Sequence, residues 1–74
     1  MKLIEAENNK NYILTSIGTS EHFVERAKSM GLVQGTKLKM IRNQKKMPVL
    51  IYARDTLLAV NQKDAKSMEV QSDE

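Results

Sequence analysis

The sequence has no cysteine. That one absence excludes disulfides, thiolate metal sites and cysteine nucleophiles together, and it fits a reducing compartment. The chain holds a single histidine, so the two-histidine, one-carboxylate set of a ferrous oxygenase site cannot be assembled. Its aromatics stop at Tyr12, Phe23 and Tyr52. Leu, Ile, Val and Met must therefore build the core. No stretch approaches the roughly 18 apolar residues of a membrane span. The opening MKLIEAENNK lacks the apolar run of a signal peptide. These absences point to a soluble, cytoplasmic protein without direct membrane insertion. Strong charge is missing too: the formal net charge is +3, milder than the footprint of a dedicated nucleic-acid binder.

What is present fits one small domain over residues 1–74. A chain of 74 residues buries roughly two-thirds of its unfolded surface, so its core is small. The acidic QSDE at 71–74 is expected to fray.

The organising stretch is Thr19 to Gly35, TSEHFVERAKSMGLVQG. Ser20 is a good N-cap, because its hydroxyl can accept a free N–H of the first turn. Glu21 follows where the helix dipole favours a negative charge. Phe23, Val24, Ala27 and Met30 fall on one face, away from Glu25, Arg26 and Lys28. Gly31 supplies the left-handed residue that closes the helix, and Leu32 can fold back over it. A second turn follows at Gly35. A helix this short is marginal alone, so something must cover its apolar face.

The flanking text reads as strands. Lys2 to Glu7 is a first short strand or a turn that tucks Leu3 inward. Asn8-Asn9-Lys10-Asn11 is a turn. Tyr12 to Ile17 is β-branched and aromatic, with strand length. In TKLKMIR, Leu38 and Met40 alternate with Lys37 and Lys39, a strand with one wet face. Asn43 to Met47 is a polar, basic loop. Pro48 opens VLIYA, Arg54-Asp55 reverses the chain, and TLLAV returns as the antiparallel partner. Asn61 to Ser67 is polar, with one helical turn at Asp64 and Ala65. MEVQ, 68–71, alternates as a closing strand. A flat sheet of such short strands would leave a face and two edges bare. Rolling it up hides both. The expected fold is mainly β: a small SH3-like barrel of five to six short strands, with the helix sealing one end through Phe23, Val24, Ala27 and Met30.

Residues 25–43, ERAKSMGLVQGTKLKMIRN, carry a resemblance. The chain resembles the FeoA family, the small cytoplasmic proteins of bacterial ferrous iron uptake. That family shows a helix ending in R-L-x-x-M-G-[LF], then x-x-G-x-x-[VL]-x-[VM]. Arg26, Met30, Gly31, Leu32, Gly35, Leu38 and Met40 occupy those places, with Ala27 where Leu is usual. Pro48, Val49 and Ile51 match its P-[IV]-x-[VI]. Leu58 and Ala59, then Ala65 to Val70, match its closing motifs. Leu3, Ala6, Leu14 and Ile17 fit its opening strands. Two departures stand out: Asn8-Asn9 where Pro-Gly is common, and Asn43 to Met47 in place of an apolar, Gly-containing loop. The resemblance implies an accessory to FeoB, the membrane ferrous iron transporter with a cytoplasmic GTP-binding domain. It would act by docking that changes the transporter's opening or its GTP hydrolysis.

Each chemical feature has a plainer reading beside it. His22 and Glu25 can share a helix face but make two weak ligands, short of a metal set. A solvated histidine is the plainer account, and no metal site or cofactor is expected. Met30, Met40 and Met68 sit at core-like positions. Met47 lies in the basic loop and suits a partner surface. The glycines of Met30 to Gly35 lack the strand and helix that a phosphate cradle needs. Arg42 or Arg54 could serve as an arginine finger, yet a surface arginine is the commoner role. No catalytic constellation appears, so the protein is not read as an enzyme. The residues proposed to touch a partner are Arg42, Lys45, Lys46, Met47 and Arg54, taken from loops near one side of the barrel. Two alternatives stay open: a basic barrel that binds nucleic acid, and a stand-alone SH3-like domain of the iron-dependent repressor type.

Overall fold

The computed structural model describes residues 1–18 and 20–73. Thr19, the first residue of the helix stretch, and Glu74, the last of the acidic tail, lie outside them. The chain runs through a 3-10 turn (Leu3–Glu5), β1 (Asn11–Ser16), α1 (Glu21–Ser29), β2 (Lys37–Arg42), β3 (Val49–Ala53), β4 (Thr56–Val60), α2 (Gln62–Ala65) and β5 (Glu69–Ser72). The strands form one antiparallel sheet in the order β4-β3-β2-β1-β5. Register shifts at Leu14/Ser16 and Met40/Arg42 bend it. The molecule measures 28 × 25 × 22 Å. A flat five-stranded sheet with one helix would be far less even, so the sheet is curled around its core.

Helix α1 forms where local chemistry requires it. Ser20 Oγ accepts the Phe23 N–H at 3.3 Å. At the other end Gly31 takes φ +87°. Its N–H donates to the Lys28 carbonyl at 3.0 Å, and the Leu32 N–H donates to the Ala27 carbonyl at 2.8 Å. That pair of bonds is a Schellman cap, with Leu32 buried as its apolar part.

The inward residues of the strands meet the helix in one cluster. Tyr12, Leu14, Leu38, Met40, Val49, Ile51, Val60 and Val70 pack with Phe23, Ala27 and Leu32. Leu3 and Met68 are fully buried beside them. Of the four residues expected to seal the barrel, Phe23 and Ala27 do so. Met30 packs on the core from a half-buried position. Val24 is the correction: it is half-exposed and stands outside the cluster, because Leu32 folds back to complete the seal.

Of the two forms expected for residues 2–7, a strand or an inward-tucking turn, the structure has the turn, with Leu3 as its anchor. The tail is ordered further than expected. Gln71 and Ser72 belong to β5, paired with Ile13 and Tyr12, and the Asp73 N–H donates to the Asn11 carbonyl at 3.0 Å. The closing strand expected at 68–71 is present and runs over Glu69–Ser72.

Candidate protein-docking site

The loop between β2 and β3 is held at its base. Asn43 donates through Nδ2 to the Ile4 and Ala6 carbonyls at 2.7 and 2.8 Å, and its own N–H donates to Asn8 Oδ1 at 2.8 Å. Gln62, at the start of α2, donates through Nε2 to the Met47 and Gln44 carbonyls at 2.7 and 3.2 Å. Lys46 sits at φ +66°, a strained left-handed position for a lysine. On this frame Lys45, Lys46 and Met47 face solvent. Arg42 is half-buried and donates to the Pro48 carbonyl at 3.4 Å, so it braces the loop.

Arg54 is separated from the other four. It stands in the turn at the far end of β3, which spans five residues, about 17 Å of strand. Its side chain lies against Gly31, where an added Cβ would come within 2.8 Å of Arg54 Cδ. A cation there is favourably placed at the C-terminal end of α1. The grouping on one side of the barrel is thus corrected: successive turns of an antiparallel sheet fall at opposite ends.

A second surface escaped the sequence reading. On the outer face of the hairpin, Tyr52 pairs with Leu57 and Leu50 with Ala59. Leu57 is 56% exposed and Tyr52 44%. Tyr52 also stands opposite Lys39 on β2. The signal was available. VLIYA and TLLAV are apolar at nearly every position, whereas a strand with one wet face alternates.

The edge of the hairpin has its own geometry. Arg54 and Asp55 take φ +52° and +62°, a type I′ turn that closes on a hydrogen-bonded pair, Ala53–Thr56. Bonded and open pairs then alternate along the strands. Leu57 and Ala59 fall at open pairs. Their N–H and C=O groups therefore point away from β3, out of the sheet.

The cleft between α1 and α2 offers less. His22, Glu25 and Lys63 line it, and Arg26 crosses it to Asp64 at 3.1 Å. His22 and Glu25 are both exposed. Among the described residues no three His, Cys, Asp or Glu side chains gather to hold a metal ion. Nor is any helix among them long and apolar enough to cross a membrane.

A curled five-stranded sheet closed by a short helix, with its surface features in strand edges and loops, defines an SH3-like domain. The FeoA domain model matches residues 1–72, and the chain belongs to that family, which is linked to ferrous iron transport. The FeoA protein of Chlorobium tepidum is similar over all of this chain and 71% of its own, at 27% identity and a TM-score of 0.90. Stenotrophomonas maltophilia FeoA, solved with zinc and described as an SH3-domain protein, shares the fold over 96% of this chain and 89% of its own (21% identity, TM-score 0.80). A manganese-dependent transcriptional repressor shares it over 97% of this chain but 41% of its own (11% identity, TM-score 0.88). Among curated proteins none matches the chain.

Proposed function

We propose that this chain is a cytoplasmic accessory protein of ferrous iron uptake, folded as one domain over residues 1–74. It docks on the cytoplasmic GTP-binding part of a FeoB-type transporter and modulates it by binding, without catalysis. The observation that carries the reading is the family match over residues 1–72. Two features support it. The S. maltophilia relative is described as a candidate activating factor of ferrous iron transport. The exposed side chains suit docking: Tyr52 and Leu57 outward on the hairpin with Arg54 at its turn, and Met47 outward with Lys45 and Lys46 in the loop at the other end of β3. Aromatic, methionine and arginine side chains are the types enriched at protein interfaces.

The manganese-dependent repressor favours a second reading, a stand-alone SH3-like domain of the iron-dependent repressor type, since the fold covers 97% of this chain. Titration of the purified chain into the transporter's cytoplasmic region separates the two. The adaptor reading expects saturable heat of binding. A flat titration at high micromolar concentrations would contradict it. Tight binding to labelled DNA or RNA, with a steep loss on raising salt, would favour a nucleic-acid role instead.

A further inference from the structure

We infer that β4 is an acceptor edge, to which an extended acidic segment of the partner adds as a sixth strand. This rests on the docking reading above and names its surface. Four observations carry it.

The first is a contrast between the edges of the sheet. The outer edge of β5 is already taken by the N-terminus. The Val70 N–H donates to the Met1 carbonyl at 2.7 Å, the Met1 amino group donates to the Val70 carbonyl at 2.9 Å, and Leu3 bonds Met68 at 2.9 Å. The outer edge of β4 has no such cover among the described residues. Its only sheet neighbour is β3. Leu57 and Ala59 turn their N–H and C=O groups to this open side and are exposed. Such a row of unpaired groups is a template for another strand.

The second is the side-chain surface next to it. Leu57 and Tyr52 form an exposed cross-strand pair. An added strand would place alternate apolar side chains beside Leu57, which extends the pairing already present across the hairpin.

The third is charge. Arg54 stands at the turn end of β4. Lys63 follows its other end, and the hydrogen bonds from Gln62 bring the Lys45–Lys46 loop there as well. None of these four cations makes an ion pair among the described residues. Of the nearby carboxylates, Asp64 is engaged by Arg26 and Glu25 by Lys28, Asp55 adjoins Arg54 in the turn, and Asp73 shares a groove with Lys37, Lys39 and Arg54. A segment with acidic residues at both ends meets this arrangement.

The fourth weighs against a second copy as the occupant. Two β4 edges paired antiparallel would set Arg54 of one chain against Lys45, Lys46 and Lys63 of the other. Like charges would then face each other at both ends, which disfavours the pairing.

The test uses the full chain and the cytoplasmic region of the FeoB-type transporter as probe. Ala59→Pro removes one outward N–H and no ladder bond to β3, a substitution that edge strands tolerate. Leu57→Glu places a carboxylate on the apolar face. Lys28→Glu, exposed on α1 and away from the hairpin, controls for net charge. We expect Ala59→Pro and Leu57→Glu each to weaken binding about tenfold or more, with Lys28→Glu close to the unchanged chain. Amide exchange at Leu57 and Ala59 should slow in the complex, which keeps the test decisive even if Ala59→Pro fails to fold. Normal binding by well-folded Leu57→Glu, with unprotected amides at both positions, would overturn the inference and leave the docking reading intact. No binding by the unchanged chain would overturn both. A homodimer in sedimentation that Leu57→Glu dissolves would replace the acidic segment with a second copy.

Discussion

The two edges of this sheet end in opposite ways. At β5 the chain covers its own edge: Met1 and Leu3 bond to Val70 and Met68, and Lys2 bridges to Glu69. At β4 a five-residue strand presents Leu57 and Ala59 outward. The covered edge belongs to the fold, because Leu3 there is fully buried. The bare edge contributes little to the core, since Leu57 is 56% exposed. Natural sheets usually blunt their edges. An edge left open, apolar on its outer face and flanked by unpaired cations, is a place where stability and function can be varied separately.

Equivalent changes at the two edges should therefore behave differently. Leu3→Ala should cost about 3 kcal/mol, by loss of burial and the cavity left behind. Leu57→Ala should cost under about 1 kcal/mol, because most of that side chain is already in water. Equal losses in chemical denaturation would break the contrast. It would mean that β4 is as deeply integrated as β5.

The junctions around α1 come next in size. Gly18 takes φ +101°, and an added Cβ would lie 2.9 Å from the Ser67 carbonyl oxygen. Backbone cannot yield as a side chain can, so Gly18→Ala should cost about 2 kcal/mol. Gly31→Val should cost about 1 kcal/mol or more through its positive φ. The contact with Arg54 adds less there, because that side chain can move. A Gly18→Ala melting temperature at or above that of Gly31→Val would reverse this order.

The hairpin turn gives a smaller effect of opposite sign. Arg54 and Asp55 occupy left-handed positions that Asn-Gly fills without strain. Replacing them by Asn-Gly should stabilise the chain by up to about 1 kcal/mol, because relief of the left-handed strain outweighs the extra freedom of the unfolded chain, while removing one cation from the end of the open edge. Lys45→Glu/Lys46→Glu should leave folding nearly unchanged and weaken transporter binding a few-fold, more so at low salt. Unchanged affinity would take this loop out of the interface.

Much of this architecture was legible because it is local. Ser20, Gly31 and Leu32 mark a helix through contacts within a few residues, and Arg54-Asp55 between two apolar runs marks a hairpin. The illegible parts are nonlocal. Nothing in MKL says that it will bond to residues 68–70, and nothing in QSD says that it will pair with Asn11 and Tyr12. Val24 was misread because Leu32 competes for the same end of the core, which a helical repeat cannot show. The candidate site was half legible. The basic loop was plain from its composition. The separation of Arg54 follows from counting turns in an antiparallel sheet. The apolar outer face lay in the missing alternation of VLIYA and TLLAV, a pattern that also describes a strand buried on both sides.

The most direct measurement is an NMR titration of the labelled chain with the transporter's cytoplasmic region. The account predicts amide shifts concentrated at residues 54–63, with the N-terminal segment and β5 unmoved. No shifts, or shifts confined to α1 and β5, would contradict it.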